Sequence, residues 1–112
     1  MERLGRVVRS IEAKTFMDGQ ELIRQYFQPS RITFGVSVLK PGQNGGLDPG
    51  HAEADEVFYC AGGHVLCYFP EDDTHYELLQ GDALLIPQKT GHKLFNIGDK
   101  DAMVVWACAP HP

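Results

Sequence analysis

The chain has 112 residues, 43% of them apolar and 22% charged, a balance that is typical of one globular domain with its own core. Its 15 acidic and 10 basic residues include no basic cluster, so we expect no nucleic-acid surface. No apolar stretch approaches the roughly 18 residues that span a membrane, and residues 1–6 lack the apolar core of a secretory signal. These features predict a single domain over residues 1–112, located in the cytoplasm and without membrane contact.

The cysteines Cys60, Cys67 and Cys108 lie in three separate apolar runs. Their number is odd and no two of them have the CxxC spacing of a zinc or redox motif. A free cysteine in such a run behaves as a small apolar side chain. We therefore expect three reduced thiols in the core.

The first 29 residues carry the weakest pattern. Residues 6–11 are compatible with a strand, and Asp18-Gly19 is a turn signal. The apolar periodicity of residues 21–27 fits a helix or a strand, and we favour a strand because the rest of the chain has the pattern of short strands.

Residues 31–39 alternate between apolar and small or polar side chains. Ile32, Phe34, Val36 and Val38 would form the face that packs in a core, because successive side chains of a strand point to opposite sides. Gly35, on the other face, predicts the close approach of a backbone or a ligand. Residues 41–50 contain 4 glycines and 2 prolines and are expected to form a loop.

Short strand-like runs continue to the end of the chain. Turn signals such as Gly62-Gly63 and Gln80-Gly81-Asp82 separate them at intervals of about 8–12 residues, a rhythm typical of an all-β sandwich or barrel. The predicted strands are residues 57–61, 64–69, 75–79, 83–86, 92–97 and 102–108.

Histidine and carboxylate side chains crowd together between the glycine-rich loop and the apolar run at residues 57–61. His51, Glu53 and Glu56 could offer an imidazole and carboxylate oxygens to one cation. Glu56 immediately precedes the apolar run, where a carboxylate needs a partner or a metal to offset its desolvation. Glu53 is two residues from His51 and would point the same way on an extended segment, as a ligand, as a base beside the metal, or into solvent.

Two spaced patterns follow each other in the chain. The first is His51, four residues, Glu56, five residues, Gly62, and the second is Gly81-x5-Pro87-x4-His92-x3-Asn96. Together they resemble the paired motifs of the cupin superfamily. The resemblance implies an all-β fold, the cupin-type double-stranded β-helix or jelly-roll barrel, with a metal held inside. Residues 31–108 would form the barrel, and residues 1–29 would add strands that could take part in a dimer.

The first motif departs from the family pattern, which has two histidines spaced His-x-His before the glutamate. With His51 as the second histidine, Pro49 stands at the first position; with His51 as the first, Glu53 stands at the second. In the second motif, Lys89 stands where a glycine is usual.

The resemblance therefore implies His51, Glu56 and His92 as metal ligands, with Glu53 as a fourth ligand or a catalytic base. Two histidines and one carboxylate leave open positions and suit Fe(II), whereas a further carboxylate would give a harder site for Mn(II) or Zn(II). Fe(II), Mn(II), Ni(II) and Zn(II) remain the candidate cofactors.

Two function classes follow from this site. The first is a metal-dependent enzyme, an oxygenase or a lyase/isomerase, acting on a small carboxylate- or carbonyl-bearing molecule. The second is a non-catalytic module that binds or senses a small molecule. A third option is an interaction protein that dimerises through its outer sheet. Arg24 or Arg31, near the expected mouth, could pair with a substrate carboxylate. In either class we expect a homodimer formed through the outer sheet.

Overall fold

A computed structural model of the protein describes residues 4–110. Within these residues, a short 3₁₀ turn at Ser10–Glu12 precedes the first strand. The strands are β1 (Lys14–Asp18), β2 (Glu21–Phe27), β3 (Thr33–Leu39), β4 (Asp55–Gly62), β5 (His64–Phe69), β6 (Thr74–Leu79), β7 (Ala83–Ile86), β8 (Lys93–Asn96) and β9 (Ala102–Ala109).

The strands form two antiparallel sheets that pack face to face. One sheet has six strands in the order β1-β2-β3-β9-β4-β7, and the other has three in the order β6-β5-β8. The core lies between the sheets and includes Leu39, Phe58, Val65, Phe69 and Leu94. This architecture confirms the predicted all-β double-stranded β-helix. Among the described residues, no helix has the length and apolar character needed to cross a membrane.

The N-terminal strand lies later in the chain than predicted. Residues 6–9 have no regular structure, and Val7 and Ile11 are exposed at 68% and 93%. β1 begins at Lys14 instead and forms a hairpin with β2 through the turn at Asp18-Gly19, where Gly19 has φ +62°. Because β1 pairs with β2 in register, its position is fixed by this turn. The strand preferred for residues 21–27 is confirmed as β2.

The inward face of β3 is the reverse of the predicted one. Thr33, Gly35, Ser37 and Leu39 point inward and are buried, whereas Ile32 is 38% exposed. The side chains of Phe34, Val36 and Val38 lie half-buried on the outer face. Alternation identified the two faces, but the inner face carries small and polar residues: Thr33 lines the cavity, Gly35 lies against Trp106, and Ser37 accepts a hydrogen bond from the indole.

β4 has the same arrangement. Glu56, Phe58 and Cys60 point inward, while Val57 and Tyr59 are 43% and 46% exposed on the outer face. The run at residues 57–61 is therefore a strand, as predicted, but only alternate side chains are buried. All three cysteines are free and buried, which confirms the prediction of core thiols.

The loop at residues 41–50 is held on both sides by backbone hydrogen bonds. Towards β8, Gly45 N donates to Leu94 O at 2.9 Å, and Asn96 N donates to Gln43 O at 2.9 Å. Towards the β1–β2 turn, Gly46 N donates to Asp18 O at 3.1 Å. The loop therefore connects the edge strand of the small sheet to the β1–β2 hairpin and closes this end of the barrel.

The indole of Trp106 explains the glycine in β3. Gly35 pairs with Trp106 across β3 and β9, and a Cβ at position 35 would overlap the six-membered ring of the indole. It would also lie 2.7 Å from Arg24 O. Gly35 thus allows the close approach of both the backbone of β2 and the side chain of Trp106, which also lines the cavity.

We expect Gly35→Ala to lower the free energy of unfolding by about 1–3 kcal/mol, because the added methyl group overpacks the contact with Trp106. Gly62→Ala is the matched control, since a Cβ at position 62 would have no atom within 4 Å. Urea unfolding followed by far-UV circular dichroism measures both variants. Equal stability of the two variants would contradict this role for Gly35.

Candidate metal centre

Backbone contacts bring the two sequence motifs together at one end of the barrel. Asp48 and His92 form an antiparallel bridge in which each N–H donates to the other's carbonyl at 2.9 Å. Lys89 N donates to His51 O at 2.8 Å. Gly50, at φ +89°, passes so close to Thr90 that a Cβ would lie 2.6 Å from Thr90 N. The two loops thus form one rigid support for His51 and His92.

Lys89 adopts the left-handed conformation, with φ +58°. Glycine reaches this region without steric cost, whereas a side chain makes it unfavourable by about 1 kcal/mol or more. This explains in physical terms why glycine is usual at this motif position. Lys89 keeps the turn, so the departure from the motif leaves the path to His92 intact.

Glu56 lies at the centre of the site. Its carboxylate is buried, and its Oε1 lies 3.1 Å from His92 Nε2 and 3.5 Å from His51 Nε2. Despite these short distances, Oε1 has no hydrogen bond of acceptable geometry among the described residues. A buried carboxylate oxygen without a hydrogen bond is costly. Its convergence with two imidazole nitrogens is the arrangement expected of ligands around a cation.

Asp48 provides a second carboxylate that the sequence did not single out. Its Oδ2 lies 3.6 Å from His92 Nε2 and 3.9 Å from His51 Nε2. Asp48, Glu56 and His92 have ligand atoms within 4.8 Å of one another, as one metal-binding group requires. The sequence signal for Asp48 is its place beside Pro49, the position that lacks the expected histidine. Its other oxygen, Oδ1, accepts a hydrogen bond from Gly50 N at 2.8 Å and fixes the side chain.

Glu53 is not brought to this cluster. It is exposed, and it is absent from both groups of converging ligand atoms and from the cavity lining among the described residues. Its backbone carbonyl accepts a hydrogen bond from Gln88 Nε2 at 3.5 Å. The ligand or base role of Glu53 stays a prediction, and this geometry does not support it.

Cys108 lies on the other side of His51. Its Sγ is 3.5 Å from His51 Nε2, and Cys108, His51 and Glu56 form a second group of converging ligand atoms. Burial, together with the neighbouring charges of Glu56 and Asp48, raises the pKa of the Cys108 thiol well above its usual range. The thiol is therefore neutral at physiological pH in the metal-free protein.

The ionisable groups of the cluster shift one another's pKa. Burial would raise the pKa of Glu56, but its interactions with His51 and His92 prevail and lower it to about 2. The Glu56 carboxylate in turn raises the pKa of His51. Burial lowers the pKa of His92, but the Glu56 carboxylate and the Thr90 carbonyl more than offset this effect and raise it overall.

The Nδ1 of His92 is directed away from the cluster. It lies 2.9 Å from Thr90 O and donates its hydrogen to that carbonyl. This bond leaves Nε2 as the nitrogen that faces Glu56 and Asp48, so in the neutral ring its lone pair is available to a metal. The edge-to-face contact with Phe58, at a ring separation of 5.5 Å, fixes the plane of the imidazole.

The cluster forms part of the wall of a cavity of about 330 Å³. A volume of this size is at the lower end of the range for small-molecule sites. The wall combines apolar side chains such as Phe58 and Leu94 with polar groups from β2 and β3. Glu21, which the sequence did not identify, is one of these polar groups and is only 8% exposed.

The remaining motif residues hold the backbone. Asn96 Nδ2 donates to Leu39 O at 2.9 Å and to Lys100 O at 2.8 Å, and Asn96 Oδ1 accepts from Gly98 N. Gly81 has φ +95° and closes the turn before β7. These residues carry the family spacing for structural reasons and do not contact the cluster.

The pKa shifts predict how the stability of the metal-free protein depends on pH. Glu56, with a lowered pKa, stabilises the fold above pH 4.5, and this contribution is lost as the pH falls towards 2. His51 and His92, with raised pKa, stabilise it below pH 6.5, and this is lost as the pH rises through their folded pKa. We therefore expect Glu56→Gln to destabilise the protein by about 3 kcal/mol at pH 5.5.

At a second, alkaline pH above the folded pKa of both imidazoles, the same variant should lose less than about 1 kcal/mol of stability, because the imidazoles are then neutral and need no counter-charge. Urea unfolding in the presence of a chelator, at the two pH values, measures the difference. Glu53→Gln is the control and should change the free energy of unfolding by less than about 0.5 kcal/mol at either pH, as is usual for surface residues. An equal loss for Glu56→Gln at both pH values would refute the charge coupling.

Several known proteins are similar to this chain. The uncharacterized protein MJ1618 of Methanocaldococcus jannaschii is 32% identical over 62 residues, which covers 55% of this chain and 46% of that protein. The structure of TT1209 from Thermus thermophilus is 26% identical with a TM-score of 0.73, covering 83% of this chain and 86% of the other. A predicted oxalate decarboxylase from Thermotoga maritima has the same fold at 17% identity, with a TM-score of 0.77 over 94% of this chain and 99% of the other.

The family is established by a match over most of the barrel. The sequence profile of the cupin domain matches residues 35–108, which is more than half of the chain. The matched range runs from within β3 to within β9 and contains His51, Glu56 and His92. The chain therefore belongs to the cupin family.

Proposed function

We propose that this cupin is a metal-dependent enzyme that acts on a small carbonyl- or carboxylate-bearing molecule, as a lyase/isomerase or an oxygenase. The observation that carries the proposal is the Oε1 atom of Glu56, which is buried without a hydrogen bond between two imidazole nitrogens. A divalent cation at this point would satisfy the oxygen and both nitrogens at once. We propose His51, Glu56 and His92 as ligands, with Asp48 as the fourth.

The donor set fits a borderline to hard divalent cation. Two imidazoles and two carboxylates are compatible with Fe(II), Mn(II), Ni(II) or Zn(II), and the second carboxylate favours the harder ions of this group. When bound, such an ion acts as a Lewis acid that polarises a substrate oxygen. The chain itself binds and orients the rest of the molecule. Phe58 and Leu94 exclude water from the wall of the cavity.

Polar groups of β2 and β3 are available to orient a substrate. Gln25 and Thr33 line the cavity, together with Gln28 just beyond the end of β2. The Thr33 hydroxyl is buried and has no hydrogen-bond partner among the described residues. A substrate hydroxyl or carbonyl in contact with it would supply that partner.

The charge of the cavity favours a substrate without an extra carboxylate. Asp18, Glu21, Asp48 and Glu56 line it, whereas no lysine or arginine does so within residues 4–110. Arg24 alternates with the inward-facing Glu21, Ile23 and Gln25, so it points to the outer face, and Arg31 is exposed and lies outside the lining. The carboxylate-pairing role considered for these arginines therefore lacks support, and a carbonyl compound is the better-supported class.

The alternative is a non-catalytic module that binds or senses a small molecule. In that case the protein would hold no tight metal, and the cavity alone would bind the ligand. Metal content separates the two classes. A cytoplasmic location is compatible with both and stays a prediction from the sequence.

A homodimer is supported by the outer face of the six-stranded sheet. Adjacent strands place Val36, Val105 and Tyr59 in one cross-strand row, and Val57 and Leu85 lie in the next. Tyr59, Val57 and Leu85 are 46%, 43% and 63% exposed. A continuous apolar surface across several strands is uncommon on a monomer. We propose that a second copy of this chain covers it.

We expect the purified protein to bind about one equivalent of divalent metal after anaerobic supplementation with Fe, Mn, Ni and Zn. His51→Ala and His92→Ala should each weaken metal binding by at least about 100-fold, because each removes a ligand. Glu53→Gln should keep the metal. Elemental analysis and chelator competition measure these values. Less than about a tenth of an equivalent of metal in the wild type would refute the proposal of a metal-dependent enzyme. A full equivalent of metal in the double histidine variant would refute it as well.

Analytical ultracentrifugation tests the proposed dimer. Tyr59→Lys should raise the dissociation constant by at least about 30-fold, because the two-fold axis would bring two desolvated charges into one interface. Tyr76→Lys is the matched control, since Tyr76 has a similar exposure of 43% but belongs to the smaller sheet. A wild-type monomer at high concentration, or equal effects of the two variants, would contradict the dimer.

A further inference from the structure

Glu21 is a buried carboxyl group that the metal cluster does not use. It is the first residue of β2, it points into the cavity and it is only 8% exposed. The loop at residues 41–50 passes directly over it. The contact is so close that a Cβ on Gly45 would overlap Glu21 Oε1. Glycine at position 45 thus allows the backbone to cover one side of the carboxyl group while the other side faces the cavity.

A chain of two hydrogen bonds holds this carboxyl group. The Trp106 Nε1–H donates to Ser37 Oγ at 3.0 Å. The Ser37 hydroxyl in turn donates to Glu21 Oε2. Because Trp106 supplies the hydrogen bond that Ser37 accepts, the single hydroxyl hydrogen is left for the carboxyl group. Glu21 forms no ion pair among the described residues, so a cation does not fix its charge.

The groups that act electrostatically on Glu21 favour its neutral form. Burial has the largest effect on the pKa of Glu21 and raises it. Asp18 and Glu56 raise it further, whereas the hydrogen bond from Ser37 and the charge of His92 lower it. Together these effects raise the pKa of Glu21 to about 7. In the same cavity, the pKa of Glu56 is lowered to about 2. Two carboxyl groups with such different pKa values are suited to different tasks, one as a permanent anion and the other as a proton donor and acceptor.

We propose that Glu21 is the acid–base residue of the cavity, which exchanges a proton with a carbonyl-bearing molecule held beside the His51–Glu56–His92 cluster. This inference rests on the proposed function and specifies its reaction class as proton transfer, that of an isomerase or lyase. It requires no oxidant.

The proposed step balances without a further reactant. The O–H bond of the neutral Glu21 breaks, and the electron pair of the enolate form of the molecule takes the proton to form a C–H bond. Glu21 remains as a carboxylate that accepts the hydrogen bond from Ser37. The reverse step returns the proton to Glu21, or water replaces it. Ser37 and Trp106 are positioning residues, since they act through Glu21.

The indole of Trp106 gives a direct report on Glu21, because this is the one tryptophan in the chain and it is joined to Glu21 through Ser37. In ¹⁵N-labelled protein, metal-free and Zn(II)-loaded, the indole N–H resonance should titrate between about pH 6 and 8. Glu21→Gln and Ser37→Ala should abolish this titration. Asp18→Asn should keep it with a lower midpoint, because a like charge has been removed. An unchanged titration in Glu21→Gln would overturn the assignment.

Proton transfer itself is measured by the exchange of C–H protons of hydroxyacetone and dihydroxyacetone in D₂O, followed by ¹H NMR with Zn(II)-loaded protein. Glu21→Gln should reduce the rate by about 10²–10⁴-fold at unchanged metal content, and Glu21→Asp should retain part of it. Wild-type exchange rates in Glu21→Gln would contradict the proposal, as would a fully loaded wild type that exchanges neither probe. A wild type that binds no Zn(II) would instead refute the proposed function, while the indole titration still reports on Glu21.

Discussion

The central physical constraint in this protein is the burial of Glu56. A carboxylate that enters the interior of a barrel loses its hydration, and the loss is offset only if positive charge or hydrogen-bond donors replace the water. Here the imidazole nitrogens of His51 and His92, from two different loops, lie 3.5 Å and 3.1 Å from its Oε1. The glycine-rich loop, the Asp48–His92 bridge and the left-handed turn at Lys89 all serve to hold those imidazoles beside the carboxylate. The backbone contacts at this end of the barrel thus place two imidazoles beside one buried carboxylate.

The same constraint separates the roles of the two buried carboxyl groups. Glu56 faces two imidazoles and remains an anion, whereas Glu21 faces Ser37 and the backbone of Gly45 and gains little compensation for its burial. The difference between the two pKa values arises from the neighbouring groups and not from the extent of burial, since both residues are more than nine-tenths buried. A cavity with one fixed anion and one titratable carboxyl group can hold a cation and move a proton at separate points.

Much of the architecture was predictable from the sequence because turn signals and strand lengths are local properties. Residues 64–69 and 83–86 were predicted with the bounds of β5 and β7. The motif spacing identified His51, Glu56 and His92, and the Glu56 carboxylate lies beside both imidazoles. The orientation of β3 was not predictable from alternation, because this barrel has a polar cavity inside and apolar side chains outside. Asp48 and Glu21 were missed since their roles depend on contacts with His92 and Ser37, each distant in sequence. The predicted role of Glu53 depended only on its spacing of two residues from His51, and its side chain is exposed.

We propose that Glu56 and the two histidines hold one divalent cation. The most direct measurement is the anomalous diffraction of a crystal grown with Zn(II), recorded on both sides of the metal absorption edge. We expect one peak at about 2.0–2.2 Å from His51 Nε2, His92 Nε2 and Glu56 Oε1, with Asp48 completing the coordination. A crystal that shows no peak at this position under saturating Zn(II), or a peak held by Glu53 instead of Glu56, would contradict this metal site.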